Sequence, residues 1–279
     1  MTDPMPSSSS DAMFVELKSA IENEDPVALA TVVAVDDSVA DSAVEVGSKV
    51  LLKPGAEPLG SLGDDDLDRV VIRDARGELS AGTTGIRHYG PHGEARQDEV
   101  SVFIESFAPP PRMLIFGAVD FTAALTRVAK VLGYRVTVCD ARPVFATTQR
   151  FPYADEVVVD WPHRLLEKVG ADLGQRDAVC VLTHDPKFDV PAVISALATD
   201  AGYIGAMGSR RTTNDRNSRL RAEGVTDREL ERVRAPIGLD LGARTPEETA
   251  ISICSEIIAL RSGRPVSALK DTEGDIHRP

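Results

Sequence analysis

The chain is poor in cysteine, lacks any long apolar run and is short of positive charge. Three scattered cysteines among 279 residues cannot build a disulfide framework, and no CxxC or Cys/His spacing marks a metal site. No uninterrupted apolar stretch approaches the roughly 18–20 residues of a membrane span. The opening segment MTDPMPSSSS has neither a basic n-region nor an apolar h-region, which argues against a secretory signal. Lys and Arg number 31 against 44 Asp and Glu, a net charge of −13, so nucleic acid is an unsuitable partner. What remains is a soluble protein, expected in the cytoplasm. Its 42% hydrophobic content suits a packed globular chain. Its length exceeds the roughly 100–200 residues of one domain, so two domains are expected.

The negative charge is unevenly placed. Residues 1–108 hold 8 basic and 21 acidic residues, whereas residues 109–279 hold 23 of each. The acidic part reads either as a solvated surface or as an electrostatic docking face for a partner protein.

Residues 1–10 read as a disordered tail. A short helix follows, with Phe14, Leu17 and Ile21 at helical spacing and Asp11 as its cap. Strands are expected at Ala28–Val35, Lys49–Lys53, Leu59–Leu62 and Val100–Phe107, with a helix over Asp64–Arg76 whose first turn is rich in aspartate. Pro109-Pro110-Pro111 cannot continue a strand ladder and reads as a linker between a domain at 11–108 and another at 112–264, with 265–279 as a tail. The second part changes pattern. Apolar runs at Met113–Phe116, Arg135–Cys139, Glu156–Val159, Ala178–Leu182 and Tyr203–Ala206 alternate with helical segments at Phe121–Leu132, Val190–Thr199 and Thr212–Glu223. Apolar strands separated by helices indicate a parallel sheet covered on both faces. The expected fold is therefore α/β, a small N-terminal α/β domain followed by a Rossmann-like doubly wound parallel sheet. A last helix opens at Thr245-Pro246-Glu247-Glu248, a capping box with proline in its first turn. Cys139, Cys180 and Cys254 read as small core residues.

The first βα turn is Gly117-Ala118-Val119-Asp120-Phe121-Thr122. A dinucleotide fingerprint has glycine at its first, third and sixth positions, and only Gly117 is present. Val119 blocks backbone approach to a pyrophosphate, and Asp120 adds negative charge there. Asp140 stands where a ribose-binding carboxylate belongs, yet NAD(P) is disfavoured without the phosphate cradle. Later strand ends are richer. Thr183-His184-Asp185-Pro186-Lys187 follows one strand and reads either as a ligand-facing cluster or as a turn with Asx-type bonding. Met207-Gly208-Ser209-Arg210-Arg211 follows another and leads into a helix. Two guanidinium groups at a helix start oppose the dipole unless an anion is present, so this loop reads as an anion site. Asp240, between Gly238 and Gly242, adds a carboxylate to the same rim. Arg216, Arg219 and Arg221 are expected to pair with Asp215 and Glu223 or to face water. His88 and His92 read as loop histidines, and Trp161 as a packing anchor.

Leu114–Asp120, Arg135–Pro143, Thr183–Asp189, Tyr203–Arg211 and Pro236–Glu248 together resemble the C-terminal domain of the XdhC/CoxI family, accessory proteins of molybdenum hydroxylases. Residues 28–107 resemble the family's first domain more faintly, through ALATVV and Leu59-Gly60-Ser61-Leu62-Gly63. The resemblance implies a protein that binds the molybdopterin cofactor and assists its maturation or insertion into a client hydroxylase, with a sulfur donor protein as a further partner. Departures accompany it. Asp64-Asp65-Asp66-Leu67-Asp68 replaces the family's GGGC-type motif, Arg96-Gln97-Asp98 replaces a Cys-Gly-Gly, and Val119-Asp120 replaces a Gly-His. The implied ligand site comprises Gly117, Asp140, His184, Asp185, Lys187, Gly208, Ser209, Arg210, Arg211 and Asp240, without a catalytic residue. Two rival readings are an NAD(P)-dependent oxidoreductase and a non-catalytic scaffold that kept the fold and lost the ligand. A homodimer is the expected assembly.

Overall fold

The computed structural model describes residues 9–39, 42–95, 97–183 and 185–273. The chain divides into two compact units that part between Pro109 and Pro110.

The first unit contains α1 (Ser9–Glu22), β1 (Val27–Val35), β2 (Lys49–Leu52), β3 (Leu59–Ser61), α2 (Asp65–Ala81), β4 (Gly85–Tyr89) and β5 (Val100–Phe107). The strands form an antiparallel sheet in the order β3-β2-β1-β5-β4. Strand β1 is central because nearly its whole length is apolar and both faces are covered. Ala28, Ala30 and Val32 pack in the cluster that holds Leu67, Val71, Ala75 and Leu79 of α2. Val27 and Leu29 point the other way, into a second cluster with Met13 and Ala20 of α1. Asp64 caps α2 by accepting from the amides of Asp66 and Leu67 at 3.0 and 2.9 Å, which explains an aspartate-rich helix start. Three details differ from the sequence reading. Helix α1 starts at Ser9, ahead of Asp11, and buries Met13 and Ala20 while Phe14 and Ile21 stay exposed. Helix α2 runs on to Ala81 and ends at Gly82. His88 lies in the strand β4, not in a loop. Its Nδ1 stands 3.0 Å from Ser101 Oγ on the neighbouring strand.

The second unit contains β6 (Arg112–Phe116), α3 (Asp120–Val131), β7 (Arg135–Cys139), β8 (Glu156–Val158), α4 (Pro162–Val169), β9 (Ala178–Val181), α5 (Pro186–Leu197), β10 (Tyr203–Ala206), α6 (Arg210–Ala222), α7 (Asp227–Leu230), β11 (Val233–Arg234) and α8 (Pro246–Ser262). Its strands are all parallel, in the order β11-β10-β9-β6-β7-β8. This is the doubly wound Rossmann order, with its topological switch point between β6 and β9. Alternate residues of each strand enter two separate cores. Met113, Ile115, Val136, Val138 and Cys180 pack with α3 and α8. Leu114, Phe116, Cys139, Val179 and Val181 pack with α4, α5 and α6. Because both faces are buried, the strands read as continuous apolar runs. All three cysteines lie within these cores, and burial pushes the thiols of Cys139 and Cys254 up to about 12.

Candidate functional site

The sheet brings the sequence-selected residues of this unit to one edge. Each strand end is stitched to its neighbour: Gly117 N–H donates to the Cys139 carbonyl, Leu182 N–H to Phe116, Met207 N–H to Val181 and Ile237 N–H to Ala206. Along the carboxyl edge, the strands that lead to Asp140, Gly117, Thr183 and Gly208 therefore follow one another, neighbouring strands lying about 4.8 Å apart, and the loop bearing Asp240 follows β11. Ligands of open α/β sheets bind outside this edge, at the switch point. His184 lies outside the described residues.

The β6–α3 turn is built to hold itself. Gly117 has φ +110°, and a Cβ there would stand 2.9 Å from the backbone nitrogen of Thr183. The Ala118 N–H donates to Asp140 Oδ2 at 2.8 Å, and Val119 N–H donates to Thr122 Oγ1 at 3.4 Å. Thus two amides that would face a pyrophosphate are bound internally. Asp140 is 5% exposed and fully engaged. Arg142 grips it bidentately, with Nε 2.9 Å from Oδ1 and Nη2 2.8 Å from Oδ2, and the Arg142 amide adds a third contact at 2.9 Å. Burial opposes the Asp140 charge, but these hydrogen bonds outweigh it and hold the carboxyl below its ordinary range. The Asp140 oxygens thus accept from the turn amide of Ala118 and from Arg142.

Arg142 lies in the Arg135–Pro143 run that resembles the family, but the sequence reading assigns neither Arg142 nor Arg150 to the site. Arg142 lies 4.5 Å and Arg150 5.5 Å from the Phe145 ring centroid. Arg150 Nη1 also donates to the Ala118 carbonyl at 3.2 Å, which closes the 140–150 loop over the turn. No spacing announces this arrangement, because it depends on a loop folding back across 32 residues.

Asp185 is exposed and caps α5 by accepting from the Lys187 amide at 3.0 Å, the Asx-type alternative. Lys187 leans away from the switch point. Its Nζ sits 5.1 Å from the Trp161 ring, which in turn packs on Phe188 at 4.9 Å. Lys187 also lines a groove of about 590 Å³ between α4, α5 and α6. Asp240 is exposed, next to Leu239, whose N–H donates to the Ser252 carbonyl of α8.

The β10–α6 turn differs. Gly208 has φ +151°, and Ser209 caps α6 by accepting from the Thr212 amide at 3.1 Å. Helix α6 starts at Arg210, two residues earlier than the sequence suggests. Arg210 and Arg211 are both exposed, and neither forms an ion pair among the described residues. Two guanidinium groups at a helix's positive end are unfavourable alone and favourable around an anion. Beneath them, Arg216 corrects the sequence reading. It is 1% exposed and donates from Nε to Asp189 Oδ2 at 3.0 Å and from Nη2 to the Met207 carbonyl. Arg221 pairs with Asp227 rather than with Asp215 or Glu223.

The chain is similar to known proteins. The XdhC Rossmann domain model matches residues 113–257, and the XdhC and CoxI family model matches residues 20–90. The chain belongs to the XdhC/CoxI family. It is 32% identical over 161 residues to a probable xanthine dehydrogenase subunit of Bacillus subtilis strain 168, covering 58% of this chain and 46% of that protein. Two relatives come from Escherichia coli K12. The uncharacterized protein YqeB is 26% identical over 266 residues, covering 91% of this chain and 47% of that protein. The molybdenum cofactor insertion chaperone PaoD is 26% identical over 159 residues, covering 57% and 43%. The chain thus spans about half the length of these relatives. A solved structure described as a xanthine dehydrogenase from Bacillus halodurans shares the fold, with a TM-score of 0.50, 21% identity and coverage of 90% of this chain and 96% of that one. Among the described residues, no helix is long and apolar enough to cross a membrane, and no group of three or more His, Cys, Asp or Glu could hold a metal ion.

Proposed function

We propose that this protein is an accessory factor of a molybdenum hydroxylase, binding the molybdopterin cofactor by its phosphate and assisting its insertion into the client enzyme. The observation that carries the reading is the Gly208–Arg211 loop. It sets a capped helix N-terminus and two guanidinium groups, without an ion pair among the described residues, at the end of β10, one strand along from the switch point, in a chain of the XdhC/CoxI family. A phosphate monoester is the ligand that such a loop recognises best, through backbone amides, the helix dipole and charge-assisted bonds. The family relative PaoD supports the choice of cofactor.

The residues fit the phosphate end of the cofactor better than its sulfur-bearing end. Soft thiolates suit molybdenum and sulfur, but all three cysteines are buried and their burial raises the thiol pKa. Sulfuration then belongs to another protein, a sulfur donor, and this chain's task is to hold and present. Gly117 lets the β6–α3 turn pack on the Thr183 backbone, and Asp140 with Arg142 stiffens that turn from the β7 side. On this reading Asp185, Lys187 and Asp240 are outlying residues of the same strand-end loops. NAD(P) chemistry is not part of the reading, because the Ala118 amide and the Asp140 carboxylate are already bonded to each other.

Purified protein is expected to take up isolated molybdopterin, read as pterin fluorescence after oxidation. The double variant R210A/R211A is expected to lower that affinity at least tenfold, about 1.4 kcal/mol. Wild-type protein that neither copurifies with nor takes up the pterin would end the proposal. A variant that binds as well as wild type would move the phosphate elsewhere.

A further inference from the structure

Arg216 is the largest fully buried side chain of the described residues, and it is charged. Its partner Asp189, in the first turn of α5, is 2% exposed. Burying such a pair costs several kcal/mol per ion before the attraction is counted, and apolar side chains of similar volume often serve stability as well or better. Packing alone is therefore a weak reason for this pair. It is also incompletely satisfied: Arg216 Nη1, Asp189 Oδ1 and the neighbouring Thr213 Oγ1 have no hydrogen-bond partner among the described residues. Such unmet buried groups are rare and call for an explanation.

Their position supplies one. Arg216 Nη2 donates to the Met207 carbonyl and stands 3.4 Å from the point where a Cβ on Gly208 would lie. The guanidinium thus sits directly under the Gly208–Ser209 backbone. Through Asp189 it ties the first turn of α5 to the loop that opens α6.

We propose that Arg216 is a positioning residue for a phosphate-sized anion on the Gly208–Arg211 loop, acting through the bond its Nη2 makes to the Met207 carbonyl beneath that loop. This rests on reading that loop as the anion site. Arg210 and Arg211 attract the anion from solvent. Arg216 fixes the loop backbone beneath them with a fork that spans Asp189 and the Met207 carbonyl, which lysine cannot reproduce because its ammonium is a single point charge.

Two probes separate this inference from the reading beneath it: inorganic phosphate, followed by the amide NMR signals of Gly208 to Arg211, and isolated molybdopterin, followed by fluorescence. In wild type, phosphate is expected to shift those amide signals saturably. In R216M/D189V, which stays close to the pair's volume and removes both charges, thermal stability should be equal or higher while phosphate affinity falls at least tenfold. R216K covers the case in which the double variant does not fold. It should lose a similar factor, with the charge retained. Phosphate binding unchanged in either folded variant overturns the proposal, and so does a wild-type protein whose loop amides ignore phosphate. Pterin uptake without an effect of phosphate on the loop would leave the cofactor reading standing and sink this one. Arg216-dependent phosphate binding without pterin uptake would do the reverse.

Discussion

The turn after β6 and the turn after β10 leave the same edge of one sheet with a single strand between them, yet they use their polar groups differently. In the first, Ala118 N–H, Asp140 and Arg142 satisfy one another, and Arg150 closes over the Ala118 carbonyl. In the second, the cap is satisfied but Arg210 and Arg211 are exposed to solvent, and the buried Arg216 below them keeps an unpaired nitrogen. The turn after β6, where a doubly wound fold usually holds its ligand, has its polar groups bonded to one another. We assign the ligand role instead to a loop further along the edge, one that no dinucleotide fingerprint describes.

If that contrast holds, substitutions in the first turn cost stability and substitutions in the second cost binding. The largest expected loss comes from Asp140→Ala, which strands a buried amide and frees Arg142. We expect about 2–3 kcal/mol, below the cost of breaking a fully buried pair because Arg142 is half-exposed. Thermal unfolding would show it as a Tm lower by roughly 5–10 °C. This effect carries a pH signature. The folded carboxyl titrates below its ordinary value, so its contribution is present above about pH 4 and is lost as pH falls through the folded value. The gap between wild type and variant should narrow in acid. A gap independent of pH would show that lost packing, not the charge, set the cost.

Gly117→Ala comes next, at about 2 kcal/mol, because a side chain at φ +110° is strained and its Cβ meets the Thr183 nitrogen. Urea denaturation would test it, and an unchanged midpoint would break the comparison from the structural side. The smallest stability change is expected for R210A/R211A, within about 0.5 kcal/mol of wild type, because both side chains are exposed and carry no ion pair among the described residues. A large loss of Tm in that variant would mean that the second turn is architecture as well.

Much of this is legible without a structure. Continuous apolar runs locate β7 and β10 to the residue, since a strand buried on both faces has no polar alternation to confuse its ends. The capping box at Thr245 and Glu248 locates the start of α8, with Glu248 N–H donating to Thr245 Oγ1 at 3.1 Å. Helix starts are harder. Helix α5 begins at Pro186 and α6 at Arg210, both ahead of their apolar periodicity, because capping side chains rather than burial define their first turns. The edge strand β4 is hidden because its Ile86, Arg87 and His88 are all exposed, so it carries little of the inward-facing pattern by which strands are read. In α1 the spacing of Phe14, Leu17 and Ile21 indicates a helix but not its buried face. Met13 and Ala20 lie one residue around the same cylinder and won the core.

Residue types and their order along the chain determined the two-part organisation, the parallel sheet, the absence of a phosphate-cradling turn and the cationic loop at Gly208–Arg211. Each follows from local chemistry: periodicity, capping preference, glycine positions and charge. Tertiary structure alone decided which arginines are partnered and which are not. Arg142 and Arg210 look alike in sequence, each a basic residue shortly after a strand. One is locked on Asp140, the other faces water, and Arg216, which looks solvated in the sequence, is the most deeply buried cation at the site. Spacing along a chain cannot reveal such differences, because the energy of a charge depends on what surrounds it in three dimensions.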